Sequence, residues 1–190
     1  MLAAAAGGVT VVQLREKDCS TREFIALARG LKQLLAPLRV PLLINDRVDV
    51  ALAAGADGVH LGQTDMPYRD ARALLGPDAL IGLSVETFKQ ATDAEDDDCD
   101  YLGAGPIFPT ATKLDAAPAW GLDRLTELRR TSRHRLVAIG GITASNAGSV
   151  AAAGADGIAV ISAICSASDP RAAAHELRRI VEAAQVANPR

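Results

Sequence analysis

The chain has 190 residues, of which 49% are hydrophobic and only 3% aromatic, and its formal net charge is −3. This length suffices for one domain with a substantial core, and we expect residues 1–190 to form a single domain. The acidic balance argues against a nucleic-acid-binding protein, and no apolar run reaches the roughly 20 residues of a membrane span. Three scattered cysteines without a Cys-x-x-Cys pair favour reduced thiols and a cytoplasmic location.

Seven short apolar runs recur along the chain, and a helical pattern follows each of them. The runs are too short for helices and too uniformly apolar for a half-exposed sheet, which is typical of parallel strands covered on both faces. The predicted strands are Val9–Leu14, Pro41–Asn45, Gly58–Gly62, Leu80–Ser84, Tyr101–Gly105, Leu136–Gly140 and Ile158–Ser162. The predicted helices are Thr21–Leu35, Arg47–Ala54, Tyr68–Leu75, Thr87–Glu95, Gly121–Arg130, Asn146–Ala153 and Pro170–Val186.

An internal echo supports a repeated β–α unit. Residues 53–59 read AAGADGV, residues 152–158 read AAGADGI, and residues 5–9 carry a looser copy, AAGGV. Each copy is typical of a helix end, a left-handed glycine and the start of the next strand. Such repeats indicate a (β/α) barrel or an open doubly wound sheet. Because no GxGxxG follows the first strand, we favour an α/β fold of the (β/α)8 TIM-barrel type.

The number of predicted strands is one short of the eight in such a barrel. Residues 1–6 resemble the last turn of a helix, which a complete barrel would precede with a strand and the rest of that helix. We therefore expect a barrel that lacks its first β-strand and most of its first helix, about 20 residues in all. The alternative is an eighth strand hidden between Tyr101 and Leu136.

Polar side chains follow the predicted strand ends, where (β/α) barrels carry their chemistry. If the first strand continues through Gln13–Lys17 (QLREK), then Gln13, Arg15 and Lys17 share one face. Amide, guanidinium and ammonium donors in a row suit an anionic ligand such as a phosphate. A polar strand end that enters a loop would have the same composition, so both interpretations stay open.

Asp46 and Asp65 follow the second and third strands. Two carboxylates from adjacent strands, beside a cationic row, suit Mg²⁺, a hard cation that keeps water and phosphate oxygens as further ligands. Helix capping is the alternative for each of them.

Two further segments suit phosphate binding. Thr110-Ala111-Thr112-Lys113 offers hydroxyls and an ammonium group after the fifth strand, although a polar loop has the same composition. Gly140-Gly141 and Ile161-Ser162 end the last two strands, where many barrels bind phosphate through backbone N–H groups. The three histidines form no nucleophile–base pair, and we expect each of them to be a core or surface residue.

Six motifs in this order resemble the thiamine-phosphate synthase family over essentially the whole chain. They are QLREK at 13–17, NDR at 45–47, GVHLGQ at 58–63 with Asp65 after it, GPIFPTATK at 105–113, IGGI at 139–142 and ISAI at 161–164. The resemblance implies a Mg²⁺-assisted transferase of thiamine biosynthesis. Such an enzyme joins 4-amino-2-methyl-5-(diphosphooxymethyl)pyrimidine to a thiazole phosphate and releases pyrophosphate and thiamine phosphate.

The resemblance also implies the role of each matching residue. Arg15, Lys17, Ser84 and Lys113 would be catalytic, and Asp46 with Asp65 would bind Mg²⁺. The pyrimidine diphosphate would contact Gln13, Leu14, Arg15, Glu16, Lys17, Asn45, Ser84 and Lys113. The thiazole phosphate would contact Thr110, Ala111, Thr112, Gly141, Ile161 and Ser162.

The family mechanism is dissociative, which agrees with the lack of a general base or nucleophile among the motifs. Thr64 departs from the family pattern, which more often has an acidic residue there. Two alternatives remain at this point: a thiazole tautomerase relative, or a phosphate-ligand binder without catalytic activity. The oligomeric state stays open, with a homodimer as one alternative.

Overall fold

The computed structural model describes residues 1–110 and 118–187 and contains one parallel β-sheet with helices packed on it. Seven strands follow one another in the sheet in chain order, and each pairs in parallel with the next. The strands are β1 (Val12–Leu14), β2 (Leu42–Asn45), β3 (Gly58–Leu61), β4 (Leu80–Val85), β5 (Tyr101–Ala104), β6 (Leu136–Ile139) and β7 (Gly157–Ala159). The predicted seven parallel strands are therefore confirmed, and all are shorter than predicted except β4, which extends one residue further to Val85.

Nine α-helices lie in the described part of the chain. They are α1 (Leu2–Ala6), α2 (Thr21–Leu35), α3 (Val48–Ala54), α4 (Tyr68–Leu75), α5 (Phe88–Asp93), α6 (Gly121–Thr131), α7 (Ala147–Ala152), α8 (Ser162–Cys165) and α9 (Pro170–Ala187). Ser20 and Glu23 form the capping box that begins α2. No helix within these residues is long and apolar enough to cross a membrane.

The sheet is TIM-barrel-like, with β1 and β7 as its outer strands among the described residues. The helix layer is more continuous than the sheet, because α1 packs against α9. All three residues of β7 are only partly buried, and Ile139 at the end of β6 is 40% exposed. The side of the sheet between β7 and β1 is therefore open to solvent.

The apolar core lies between the sheet and the helices. Val12, Ile44 and Val59 pack with Phe24 of α2 in one buried cluster. Leu102, Leu136 and Ala138 pack with Leu125 of α6 and Leu177 of α9 in a second cluster. Since side chains alternate along a strand, the intervening residues face the concave side of the sheet.

The concave side is partly polar and rich in glycine. The side chains that alternate with the core residues there are the polar Gln13, His60, Ser84 and Tyr101 and the apolar Leu43, Val137 and Ile139. The prediction of strands that are apolar on both faces is thus correct for β2 and β6, whereas β1, β3, β4 and β5 carry polar side chains on the concave face. These polar side chains lead to the carboxyl ends of the strands, where the candidate site lies.

Three aspartates join neighbouring strands at the opposite end of the sheet. Asp57, Asp100 and Asp156 each directly precede a strand and accept a hydrogen bond from a backbone N–H near the start of the strand before it, over 2.7–2.8 Å. Each also contacts a basic residue of a helix, in the pairs Lys32–Asp57, Arg72–Asp100 and Arg129–Asp156. Asp57 and Asp156, the aspartates of the repeated AAGADG sequence, are therefore structural. The same pattern of contacts stabilises the strand pairs β2–β3, β4–β5 and β6–β7.

Candidate active site

Asp46 and Asp65 lie at the carboxyl ends of β2 and β3. Asp46 has a left-handed backbone (φ 64°), and its N–H donates to the carbonyl oxygen of His60 over 2.9 Å. The Asp65 carboxylate accepts the N–H of Gly62 over 2.7 Å. The helices that follow, α3 and α4, have no side-chain cap. The capping alternative is therefore wrong for both residues.

The two carboxyl groups contact each other. Burial raises the pKa of Asp46 to about 6, and the hydrogen bond to Asp65 and the charge of Asp65 add to this effect. The Lys17 ammonium group, 3.9 Å from Asp46, and the Arg15 guanidinium oppose it. A shared proton at low pH, or a bound cation at higher pH, would relieve the repulsion between these two adjacent carboxylates.

This pair of oxygen donors fits a hard divalent cation. Carboxylate oxygens are ligands that Mg²⁺ prefers, and Mg²⁺ commonly takes its remaining ligands from water and substrate phosphates. Within residues 1–110 and 118–187, no group of three or more His, Cys, Asp or Glu side chains could hold a metal ion. A metal at Asp46 and Asp65 would therefore need substrate or water oxygens to complete its coordination.

The Gln13–Lys17 segment does not continue as a strand. Strand β1 ends at Leu14, so Arg15 and Lys17 lie in the following loop. The Glu16 carboxylate turns back and accepts the backbone N–H groups of Asp18 and Lys17, which lowers its pKa. The predicted single row of alternating side chains is therefore wrong in its geometry.

The three donors of this segment reach two places instead of one. Arg15 and Lys17 are both close enough to Asp46 to influence its carboxylate, whereas Gln13 lies beside Tyr101 on the concave side and opposes the burial that raises the pKa of the Tyr101 hydroxyl. Leu14 packs against the helix-side core, and Asn45, at the end of β2, is paired in register with His60. Arg15 and Lys17 thus lie near the Asp46–Asp65 carboxyl pair at the carboxyl ends of the strands.

The loops after β5 and β6 are hydrogen-bonded to each other. The N–H of Ile107 donates to Ile139 over 2.8 Å, and that of Phe108 donates to Gly140 over 3.1 Å. Thr110 is the last described residue of the first loop, and the predicted site residues Ala111, Thr112 and Lys113 lie outside the described residues. The start of this loop is therefore held against the Gly140-Gly141 turn.

Gly140 and Gly141 both have positive φ angles, 98° and 63°. A Cβ atom at Gly141 would lie 2.7 Å from the carbonyl oxygen of Pro109, so a side chain does not fit. Asn146 supports the turn, because its amide donates to the Gly141 carbonyl (3.0 Å) and accepts the Thr143 N–H (2.8 Å).

Ile161 and Ser162 lie beyond the last strand. Strand β7 ends at Ala159, so the predicted strand end at Ser162 is wrong. Ile161 is the N-cap of α8, and Ser162 is the first residue of that helix, where the chain turns away from the sheet. Both residues are exposed at the carboxyl end of β7, on the same side as the Gly140-Gly141 turn.

His60 and Tyr101 are the residues that sequence patterns did not select for this site. The ring of His60 contacts the Tyr101 hydroxyl through Nδ1 and the Ser84 hydroxyl through Nε2, both over 2.8 Å. Burial lowers the pKa of His60 to about 4, against the opposing charge of Asp65, so this imidazole is neutral at pH 7. We predicted a core or surface residue here, whereas His60 lies on the concave side outside the two apolar clusters and makes these contacts.

Glycines inside β4 and β5 make room for this pair. A Cβ at Gly82 would lie 2.1 Å from Cζ of Tyr101, and a Cβ at Gly103 would lie 2.8 Å from Cε1 of His60. An isolated glycine within a strand often marks the close approach of another group, and this was the available signal in the sequence.

A groove of about 430 Å³ lies away from this site, near the amino ends of β3 and β4. Its only charged lining residues are Asp57 and Asp78. Two carboxylates do not favour a phosphate ligand, so the groove is a poor candidate for the site.

Comparison with known proteins identifies a consistent set of relatives. Residues 1–164 match the family described as thiamine monophosphate synthase. A thiamine-phosphate synthase from Albidiferax ferrireducens is 56% identical over 181 residues, covering 95% of this chain and 83% of that protein. A thiamine-phosphate synthase from Chloroflexus aurantiacus is 53% identical, with 96% and 84% covered.

Solved structures agree with these sequence matches. A thiamine phosphate pyrophosphorylase from Pyrococcus furiosus superposes with a TM-score of 0.88 and 44% identity, covering 96% of this chain and 88% of that one. An orotidine 5'-phosphate decarboxylase from Pyrococcus horikoshii, at 17% identity and a TM-score of 0.67, shares the fold alone.

Proposed function

This chain belongs to the thiamine monophosphate synthase family and is a transferase that forms thiamine phosphate, and we propose that the carboxyl ends of β1–β7 form its active site. The observation that carries the proposal is the Asp46–Asp65 carboxyl pair with Lys17 and Arg15 beside it. A diphosphate with a bound cation complements this arrangement of charges.

The pyrimidine diphosphate would lie between the cationic loop and the concave side of the sheet. Arg15 and Lys17, with Lys113 from the loop after β5, would bind the diphosphate oxygens. Gln13, Asn45 and Ser84 would hold the pyrimidine end of this substrate through amide and hydroxyl groups. The side-chain contacts that support this placement are those of Lys17 with Asp46 and of Gln13 with Tyr101.

The metal we propose is Mg²⁺, held by Asp46 and Asp65. When bound, it neutralises diphosphate charge and so improves the leaving group. The chain's own cations act in the same place, because negative charge grows on the diphosphate as its bond to the pyrimidine methylene carbon breaks.

The thiazole phosphate would lie nearer the last two strands. The backbone N–H of Gly141 and the region of Ile161 and Ser162 would bind its phosphate, together with Thr110 and Thr112. The loop contacts of Ile107 and Phe108 with the β6 end support this placement, because they hold the start of the Thr110 loop against the Gly140-Gly141 turn. The thiazole nitrogen could then attack the methylene carbon after the diphosphate bond breaks, and the protein would mainly orient the two reactants.

The test is pyrophosphate release with both substrates, with and without Mg²⁺. We expect Arg15→Ala and Lys113→Ala each to lower kcat/KM by about 100-fold or more, because each removes a cation from the developing charge. Their melting temperatures should stay near that of the wild type. Lys89→Ala is a matched control, since Lys89 is exposed on α5 and forms an ion pair with Asp93 one helical turn away.

Other outcomes would point to the alternatives. Isomerisation of the thiazole phosphate without pyrophosphate release would indicate a tautomerase. Binding of both substrates without turnover would indicate a binder, and Trp120, the chain's one tryptophan, can report such binding by fluorescence. Normal turnover in both Arg15→Ala and Lys113→Ala would refute the proposed diphosphate site.

A further inference from the structure

We propose that His60 and Tyr101 are positioning residues that orient the Ser84 hydroxyl through a hydrogen-bonded chain. The chain crosses the concave side of the sheet and connects three strands, β3, β4 and β5. This inference rests on the proposed placement of the pyrimidine diphosphate at Gln13 and Ser84. It assigns a use to two polar side chains of the concave side that the sequence patterns did not select.

The geometry of the chain is specific. Nδ1 of His60 and the Tyr101 hydroxyl are 2.8 Å apart, as are Nε2 of His60 and the Ser84 hydroxyl. The two rings are stacked with centroids 5.5 Å apart and planes 26° from parallel. Since Gly82 and Gly103 leave space for these rings and for no Cβ, the neighbouring strands also hold them in place.

The direction of the hydrogen bonds follows from their donors. Burial raises the pKa of the Tyr101 hydroxyl, and Gln13 opposes this effect only in part, so the hydroxyl keeps its proton at pH 7. Tyr101 then donates its single proton to Nδ1 of His60. A neutral imidazole that accepts at Nδ1 carries its proton on Nε2, and it donates that proton to Ser84.

Ser84 is thereby left with its own proton to donate. An oriented hydroxyl donor suits an anionic oxygen, which grows in charge on the diphosphate during bond cleavage. Gln63 fixes the backbone of the same residue, because its amide donates to the Ser84 carbonyl over 2.6 Å. The serine is therefore held at its backbone by Gln63 and at its hydroxyl by His60, both from β3 and the residues directly after it.

A double-mutant cycle between His60 and Ser84 tests this role. We expect His60→Leu to lower kcat about tenfold and to leave the KM for the thiazole phosphate unchanged. His60→Gln places an amide donor near Nε2, so it should retain more activity than His60→Leu. In the Ser84→Ala background, His60→Leu should cost no more than about twofold further, because its effect acts through Ser84.

Tyr101→Phe is the milder variant, since it removes only the hydroxyl and keeps the ring beside Gly82. Like His60→Leu, it should lower kcat, and its melting temperature should stay near that of the wild type. The matched control is Tyr68→Phe, because the hydroxyl of Tyr68, at the start of α4, donates to the backbone carbonyl oxygen of Asp98 and takes no part in the chain. We expect its kcat to match the wild type.

The outcomes separate this inference from the proposed site. If Ser84→Ala is slow and His60→Leu multiplies that loss in full, His60 does not act through Ser84 and the positioning role is wrong. Normal kcat in Tyr101→Phe would also overturn it. A Ser84→Ala variant with normal turnover would refute the proposed role of Ser84 as well as this inference.

Discussion

Asp46 shows how one residue carries both strain and function. Its left-handed φ of 64° is unfavourable for a residue other than glycine, and it caps no helix. The same conformation brings its carboxyl group against Asp65 and within 3.9 Å of the Lys17 ammonium group. A strained residue whose carboxyl pKa is raised is typical of a functional site.

The raised pKa of Asp46 predicts a pH-dependent response to Mg²⁺. Its folded pKa of about 6 lies above the ordinary value of 3.8, so without metal its stabilising contribution is full below 3.8 and is lost as the pH rises through about 6. Mg²⁺ requires the deprotonated form. We therefore expect Mg²⁺ to raise the melting temperature more at about pH 8 than at about pH 5.

Asp46→Asn is the control for this prediction, because it removes the titrating group. In that variant the melting temperature should respond weakly to Mg²⁺ at both pH values. An equal Mg²⁺ response of wild type and variant at high pH would place the metal elsewhere.

The cysteines should differ in reactivity with a thiol reagent. Burial raises the pKa of Cys99 to about 12, while Cys165 is exposed. Because the thiolate is the reactive form, Cys165 should react quickly in the native protein and Cys99 only after unfolding. Titration with a chromogenic disulfide at about pH 8 measures this difference. Rapid reaction of Cys99 with the reagent in native Cys165→Ser protein would contradict this prediction.

At the scale of elements, the aspartates that precede β3, β5 and β7 join strands in pairs. Asp156 accepts the backbone N–H of Leu136 and contacts Arg129 over 3.0 Å. Asp156→Ala would leave that strand N–H without its acceptor, and we expect a loss of about 1–3 kcal/mol in the free energy of unfolding. Urea denaturation measures the change.

Asp156→Asn distinguishes the two contacts. Its amide oxygen can still accept the Leu136 N–H, so the loss should be smaller than for Asp156→Ala. Because this device lies at the end of the sheet opposite the site, kcat of the folded variants should be unchanged. A large fall in kcat at full folding would show that this end communicates with the site.

The Gly140-Gly141 turn predicts a selective kinetic defect. Alanine at Gly141 must adopt a φ of 63° and would bring Cβ within 2.7 Å of the Pro109 carbonyl oxygen. The turn must then shift, and we expect Gly141→Ala to raise the KM for the thiazole phosphate by about tenfold or more, because we propose that this ligand binds at the turn. Steady-state kinetics with each substrate varied in turn measures it, and an equal rise for both substrates would contradict it.

At the scale of the whole molecule, the sheet is protected unevenly. Strand β4 is paired on both sides, whereas β7 pairs with β6 alone among the described residues. Hydrogen exchange followed by mass spectrometry should therefore be slower in Leu80–Val85 than in Gly157–Ala159. Equal protection of both would indicate that another segment or a second copy covers the β7 edge.

The number, order and direction of the strands were predictable because buried parallel strands leave short, uniformly apolar runs between helical patterns. The strand ends were less predictable. QLREK and Ile161-Ser162 continue the polar or apolar pattern of the strands before them, yet the chain leaves the sheet at Leu14 and Ala159. Local pattern does not determine where pairing with a neighbouring strand stops.

The sequence by itself determined the family and the chemical types at the strand ends, since ordered motifs and side-chain charge do not depend on coordinates. Only the tertiary structure excluded helix capping for Asp46 and Asp65, because capping and carboxyl pairing differ in geometry and not in composition. It also brought His60 and Tyr101 from different strands to one hydrogen-bonded chain. Contacts between residues 41 positions apart arise from parallel pairing across the sheet, which no local pattern records.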